Sequence, residues 1–87
     1  MITVTIYTKP GCHLCAEAFA VILETTTSHP FHLEERNILD NPSDYDRYKH
    51  GIPVICVNGK EIARHRLTPE VLDRALDQAY SPPRVEG

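Results

Sequence analysis

Residues 2–15 read Ile2-Thr3-Val4-Thr5-Ile6-Tyr7-Thr8-Lys9-Pro10-Gly11-Cys12-His13-Leu14-Cys15, and the change of rhythm inside this stretch decides the fold. From Ile2 to Tyr7 aliphatic and polar residues alternate strictly, which is the period of a strand. Thr8-Lys9-Pro10-Gly11 then breaks the pattern with a Pro-Gly pair that marks a turn. Beyond it, apolar residues fall at positions 14, 15, 18, 19, 21, 22 and 23, while Glu17 and Glu24 sit on the opposite face. That spacing predicts an amphipathic helix beginning at or near Cys12. Two cysteines therefore stand where a strand turns into a helix.

Downstream, the polar run Thr25 to Pro30 ends the helix and leads to a second strand, Phe31 to Asn37. Asn41 as N-cap, Pro42 at the first helical position and Gly51 past the end predict a short helix over Pro42 to Lys49, with Tyr45 and Tyr48 on one face. Ile52-Pro53-Val54-Ile55-Cys56-Val57 reads as a strand, and Asn58-Gly59 turns it into an antiparallel partner, Lys60 to Arg66. Thr68 caps a last helix with Pro69 at its first position. Leu67 is placed to staple onto Leu72, and Val71, Leu72, Ala75, Leu76 and Ala79 form the expected buried stripe. Residues 81–87 have no periodicity and are expected to fray.

The predicted order is strand-helix-strand-helix-strand-strand-helix. A helical crossover makes the first two strands parallel, the hairpin adds an antiparallel edge, and helices cover both faces of a four-stranded mixed sheet. One α/β domain over residues 1–80 accounts for the whole pattern. With 87 residues, a second domain does not fit. A formal charge of −3, from 12 acidic and 9 basic residues without a block of one sign, argues against a dedicated nucleic-acid or membrane-surface binder. No run approaches the ~18 apolar residues that span a bilayer, and Met1 leads straight into a strand-like segment. A cytoplasmic, monomeric protein is expected.

Three cysteines are too few, and of the wrong parity, for a secreted disulfide scaffold, and Cys12 and Cys15 form a Cys-x-x-Cys pair. At a helix N-terminus, unpaired N–H groups and the positive dipole end stabilise a thiolate, so Cys12 is the expected nucleophile. Cys15, nearly one turn later, comes round to the same side as the resolving thiol. The competing readings are a metal or iron-sulfur binding module built on the pair, and a purely structural pair. Structural zinc normally needs four ligands, and no second closely spaced pair exists.

Around the pair, Lys9 reads equally as a source of positive potential for the thiolate and as a solvated loop lysine, whereas His13, able to add charge when protonated, is expected as a free-standing exposed imidazole. Cys56, inside an apolar run, is expected to be a buried thiol, and Arg64-His65-Arg66 a solvated strand edge. Proline at the start of an otherwise strand-like run suggests a cis Ile52-Pro53 bond beside Cys12, leaving the Ile52 backbone free to pair with an extended substrate.

Val4-Thr5-Ile6-Tyr7 running into the Cys12-His13-Leu14-Cys15 motif, then Ile52-Pro53, then Val57-Asn58-Gly59-Lys60, resembles the glutaredoxins of the thioredoxin-fold superfamily, and more closely the small bacterial glutaredoxin-like proteins. The resemblance implies a thioredoxin fold and thiol-disulfide exchange at Cys12 and Cys15. It also implies substrate contacts from Lys9, Ile52 and Pro53, with Tyr7 and His13 as modulators. The implied partners are protein or glutathione disulfides. No bound cofactor or metal is implied, and glutathione or a thioredoxin-type reductase would be the electron donor. The sequence departs from the family where a Gly-Gly pair and a following acid contact glutathione, for Ala63 and Arg64, then Arg66 and Leu67, occupy those places. Ile6 stands where thioredoxins carry a buried acid.

Overall fold

Alternation along the first strand separates two cores. The computed structural model of the chain describes residues 1–25 and 29–80. In β1 (Ile2–Thr8), Ile2, Val4 and Ile6 point to one face of the sheet and are buried there with Ala18 and Ile22 of α1 (His13–Glu24) and Leu72 and Leu76 of α3 (Pro69–Ala79). Tyr7 points to the other face, where it joins Ile38, Ile52, Val54, Cys56 and Tyr48, the last from α2 (Pro42–Tyr48). The sheet therefore lies between α1 and α3 on one side and α2 on the other.

Strand order is β2-β1-β3-β4, with β2 Phe31–Asn37, β3 Val54–Val57 and β4 Lys60–Arg64. β1 and β2 are parallel, with Ile6 opposite Glu35, whereas β3 is antiparallel to both β1 and β4. This is the mixed sheet with helices on both faces that the residue pattern predicts. β3, with neighbours on both sides, is buried along its whole length.

Local chemistry sets the element ends. The Asn41 side-chain oxygen accepts the N–H groups of Ser43 at 2.9 Å and Asp44 at 3.3 Å, and Pro42 occupies the first turn of α2. Thr68 caps α3 by accepting the Val71 N–H at 3.2 Å, while Leu67 and Leu72 on either side of the cap are both buried. A one-turn 3₁₀ helix, Ile38–Asp40, links β2 to α2 and is capped by the Asn37 side chain, which accepts the Leu39 N–H at 2.9 Å.

Four expectations need correction. Val71 is 41% exposed rather than part of the buried stripe, and Leu23 of α1 is also exposed. Tyr45 faces solvent while Tyr48 is buried. β4 stops at Arg64, because a register shift at Ile55/Cys56 and a left-handed His65, with φ at 68°, turn the chain away. Ile52 and Pro53 precede β3, although the Pro53 carbonyl still accepts the His65 N–H at 2.8 Å. The end of α2 at Tyr48 and the start of α1 at His13, with Cys12 as its cap, lie one residue from the predicted bounds. The expected frayed segment, 81–87, lies outside the described residues.

Candidate active site at the β1–α1 junction

The turn between β1 and α1 is built from the residues that make turns. The Lys9 carbonyl accepts the Cys12 N–H at 3.2 Å across Pro10 and Gly11, and Gly11 sits at φ 79°. Proline second and a left-handed glycine third are the requirements of a type II turn. The turn delivers Cys12 in an extended conformation, φ −85° and ψ 108°, to the N-cap position of α1. There its sulfur accepts the Cys15 backbone N–H at 3.1 Å, so a sulfur takes the place that serine or aspartate usually holds.

The two cysteines are joined as a disulfide with Cα atoms 5.2 Å apart. They differ in access. Cys12 is half-buried, whereas Cys15, inside the first turn of α1, is only 4% exposed.

A groove of about 740 Å³ runs from this pair to the end of β2. Lys9, Cys12, His13 and Cys15 line one side of it, and Glu35, Asn37 and Asp40 the other. Half-buried Phe19, further along α1, contributes an apolar surface to it. The His13 ring is exposed but not free-standing as expected, since Nε2 lies 2.9 Å from Glu17 Oε2, an ion pair when the imidazole is protonated.

Three other predicted residues are not part of the groove lining. The Ile52-Pro53 bond is cis, and Pro53 is fully buried while Ile52 is half-buried. Tyr7 pairs with Val54, so Thr8 and Pro53 stand at the same end of the sheet, where the Lys9–Cys12 turn leaves β1. Neither Ile52 nor Pro53 lines the groove. Tyr7 also points away from it, its ring 4.4 Å from that of Tyr48, with the Arg36 guanidinium 5.9 Å above it. Burial, then the nearby Tyr48, Cys56 and Asp44, push the Tyr7 phenol above its ordinary value. Cys56 is buried as expected, and its thiol is pushed up chiefly by desolvation, then by Glu61.

Arg64 is exposed on the edge strand, as its sequence suggests, but its side chain is engaged. Its guanidinium bonds both Glu61 oxygens, at 2.5 and 3.1 Å, and lies 6.0 Å from the Tyr48 ring centre. It also covers Gly51, where a Cβ would stand 2.7 Å from Nη1.

Glu35 and Asp40 were not singled out by the sequence. The available signal was the stripe of alternate β2 residues, Phe31, Leu33, Glu35, which turns from apolar to acidic at the end nearest the cysteines. Among the described residues, no group of three or more His, Cys, Asp or Glu side chains is arranged to hold a metal ion. None of the described helices is long and apolar enough to cross a membrane.

A family model described as "Glutaredoxin-like domain (DUF836)" matches residues 3–77. The chain is 31% identical over 77 residues to the "Glutaredoxin-like protein YDR286C homolog" of Dictyostelium discoideum, which covers 82% of this chain and 71% of that protein. The solution NMR structure of protein Ne2328 from Nitrosomonas europaea matches with a TM-score of 0.70 and 29% identity, over 86% of this chain and 91% of that one. The shared architecture is thioredoxin-like.

Proposed function

The chain belongs to the glutaredoxin-like domain family, and on that premise we propose that it is a small dithiol oxidoreductase that reduces protein or glutathione disulfides. The observation that carries this reading is the Cys12 sulfur at the helix cap, accepting the Cys15 N–H at 3.1 Å at the edge of an open groove, with Cys15 enclosed behind it. An N–H donor and the positive end of a 12-residue helix both favour a thiolate over a thiol at Cys12.

In the reduced protein, the Cys12 thiolate attacks one sulfur of a partner disulfide. The partner's other sulfur leaves as a thiolate, which takes up a proton. Cys15 gives its proton to solvent and attacks the Cys12 sulfur, releasing the partner's second thiol and closing the Cys12–Cys15 disulfide. Two protein thiols are oxidised and one partner disulfide is reduced to two thiols. An external thiol donor, glutathione or a thioredoxin-type reductase, then supplies two electrons to reopen the pair.

Lys9, exposed on the turn, adds positive charge beside the reacting sulfurs, with His13 as a weaker modulator because Glu17 shares its charge. Ile52 offers its backbone, before cis-Pro53, to an extended substrate at the same sheet end. Tyr7 acts on the pair only at a distance, from the opposite face. The expected setting is a monomer in the reducing cytoplasm.

The test is intact-mass spectrometry of the protein equilibrated in glutathione buffers of stepped redox ratio. Loss of two hydrogens in one titrating step, replaced in Cys15→Ser by a stable glutathione adduct on Cys12, is the expected result. Thiols that stay reduced throughout, or a protein that purifies with iron or zinc on the pair, overturn the proposal.

A further inference from the structure

The groove beside Cys12 carries a charge pattern that selects among partners, an inference that rests on the dithiol reading above. Parallel register places Glu35 opposite Ile6, on the α1 face of the sheet that Phe31 and Leu33 help to cover. Two residues earlier that face is hydrocarbon, whereas at the groove it is a carboxylate. Its neighbours are engaged elsewhere. Glu34 accepts the Thr5 hydroxyl at 3.2 Å, and Arg36 reaches Asp44 at 3.5 Å on the other face.

Glu35 and Asp40 are both exposed, both line the groove, and neither has a hydrogen bond or ion pair among the described residues. The groove has one cation without an ion pair, Lys9, and it stands on the Cys12 side. Negative charge is therefore confined to the far wall. In the same groove, Phe19 of α1 offers an apolar surface on which the stem of a long side chain can lie.

We propose that this wall makes the protein selective for polypeptide disulfides in which lysine or arginine flanks the cysteine that bonds to Cys12. The attacked sulfur sits at Cys12 beside Lys9. The flanking aliphatic stem crosses Phe19, and its cationic head meets Glu35 and Asp40. An exposed pairing of this kind contributes about a two- to threefold effect, so the two carboxylates together give about a four- to ninefold preference at low salt. The preference fades as ionic strength rises toward 1 M, where the screening length falls to about 3 Å.

The experiment uses the full chain and two short peptides, one with lysine and one with glutamate on both sides of a single cysteine, each joined by a disulfide to 2-mercaptoethanol. Every rate is divided by that of dithiothreitol on the same peptide, which removes the effect of flanking charge on the disulfide itself. The corrected ratio of lysine to glutamate peptide is expected at about four to nine for the native chain and near one for the Glu35→Gln/Asp40→Asn double variant. Equal corrected rates, or a ratio that survives in the double variant, overturn the inference. Hydroxyethyl disulfide separates this from failure of the underlying reading. If the neutral disulfide is reduced and the peptides are not discriminated, selectivity alone is wrong, whereas failure to reduce any of the three disulfides removes both proposals.

Discussion

Replacing Leu72 by alanine, set beside the same change at Val71, tests how α3 seats on the sheet. The residues are adjacent, so their side chains point about 100° apart around the helix. Leu72 is 0% exposed and packed among Leu67, Leu76 and the β1 aliphatics, whereas Val71 is 41% exposed. Leu72→Ala removes about three buried carbons, a transfer loss of about 2.4 kcal/mol, and the residual cavity brings the cost to about 3–4 kcal/mol. Val71→Ala removes a half-solvated side chain and improves helix propensity by a few tenths, so its net effect stays within about 1 kcal/mol.

Whole-domain stability for 87 residues is about 4–13 kcal/mol, so the first change is a large fraction of the total. With about 2.1 cal/mol/K of unfolding entropy per residue, Leu72→Ala lowers Tm by roughly 15–20 °C and Val71→Ala by less than about 5 °C. Thermal unfolding followed by far-UV circular dichroism, with a urea titration to check that the m-value is unchanged, measures both. Equal losses for the two variants would mean that α3 docks through a different face, and the packing account of this helix would be wrong.

Other outcomes follow from individual contacts. Tyr7 and Cys56 both hold their protons more tightly folded than unfolded, so the native state binds more protons above their ordinary values of 10.0 and 9.0 and stability falls as pH rises through that region. Cys56→Val should delay the onset of that loss toward the tyrosine range in urea titrations from pH 8 to 11, and an onset that does not move would relieve Cys56 of the role. Asn41→Ala, which strips the cap from Ser43 and Asp44, should cost about 1 kcal/mol, while Asn41→Ser recovers most of it in the same assay. Gly11→Ala meets no atom within 4 Å, so its cost of about 1–2 kcal/mol is that of the left-handed backbone alone. Iodoacetamide alkylation of Cys12 should slow with it, because the turn that presents the sulfur is disturbed, and unchanged alkylation would show that the turn adapts.

The legibility of the chain follows the range of the interactions involved. β1, the Pro10-Gly11 turn and the caps at Asn41 and Thr68 are decided within a few residues, so period and turn chemistry locate them closely. The same is true of Cys12 at the start of α1, because the Pro-Gly turn and the shift to helical period meet at that point. Val71 is not legible in this way, because an apolar residue next to a buried stripe looks the same whether the helix rolls toward the sheet or away from it. β4 ends before the residue pattern does, because nothing local to Lys60–Arg66 encodes the register shift opposite Ile55/Cys56. The far wall of the groove is illegible for the same kind of reason, since Glu35 shares a groove with Cys12 only through the parallel pairing of β2 with β1.

The stretch 63–66 shows why recognition belongs on the β2 side. The family resemblance places two glycines at Ala63 and Arg64 and an acid near Arg66 and Leu67. Glycines leave a backbone open to close approach, but Arg64 instead lies over Gly51 and Tyr48, held by both oxygens of Glu61. Leu67 turns inward as the staple of α3, so no carboxylate remains there to receive a cation. The unpaired carboxylates that line the groove with Cys12 are Glu35 and Asp40, across the sheet from Arg64. Arg64→Ala should therefore leave the corrected lysine-to-glutamate peptide ratio unchanged, because its charge is neutralised by Glu61 and two strands separate it from β2. A ratio that moves with Arg64 and not with Glu35 would place partner selection on the β4 side and reverse the assignment.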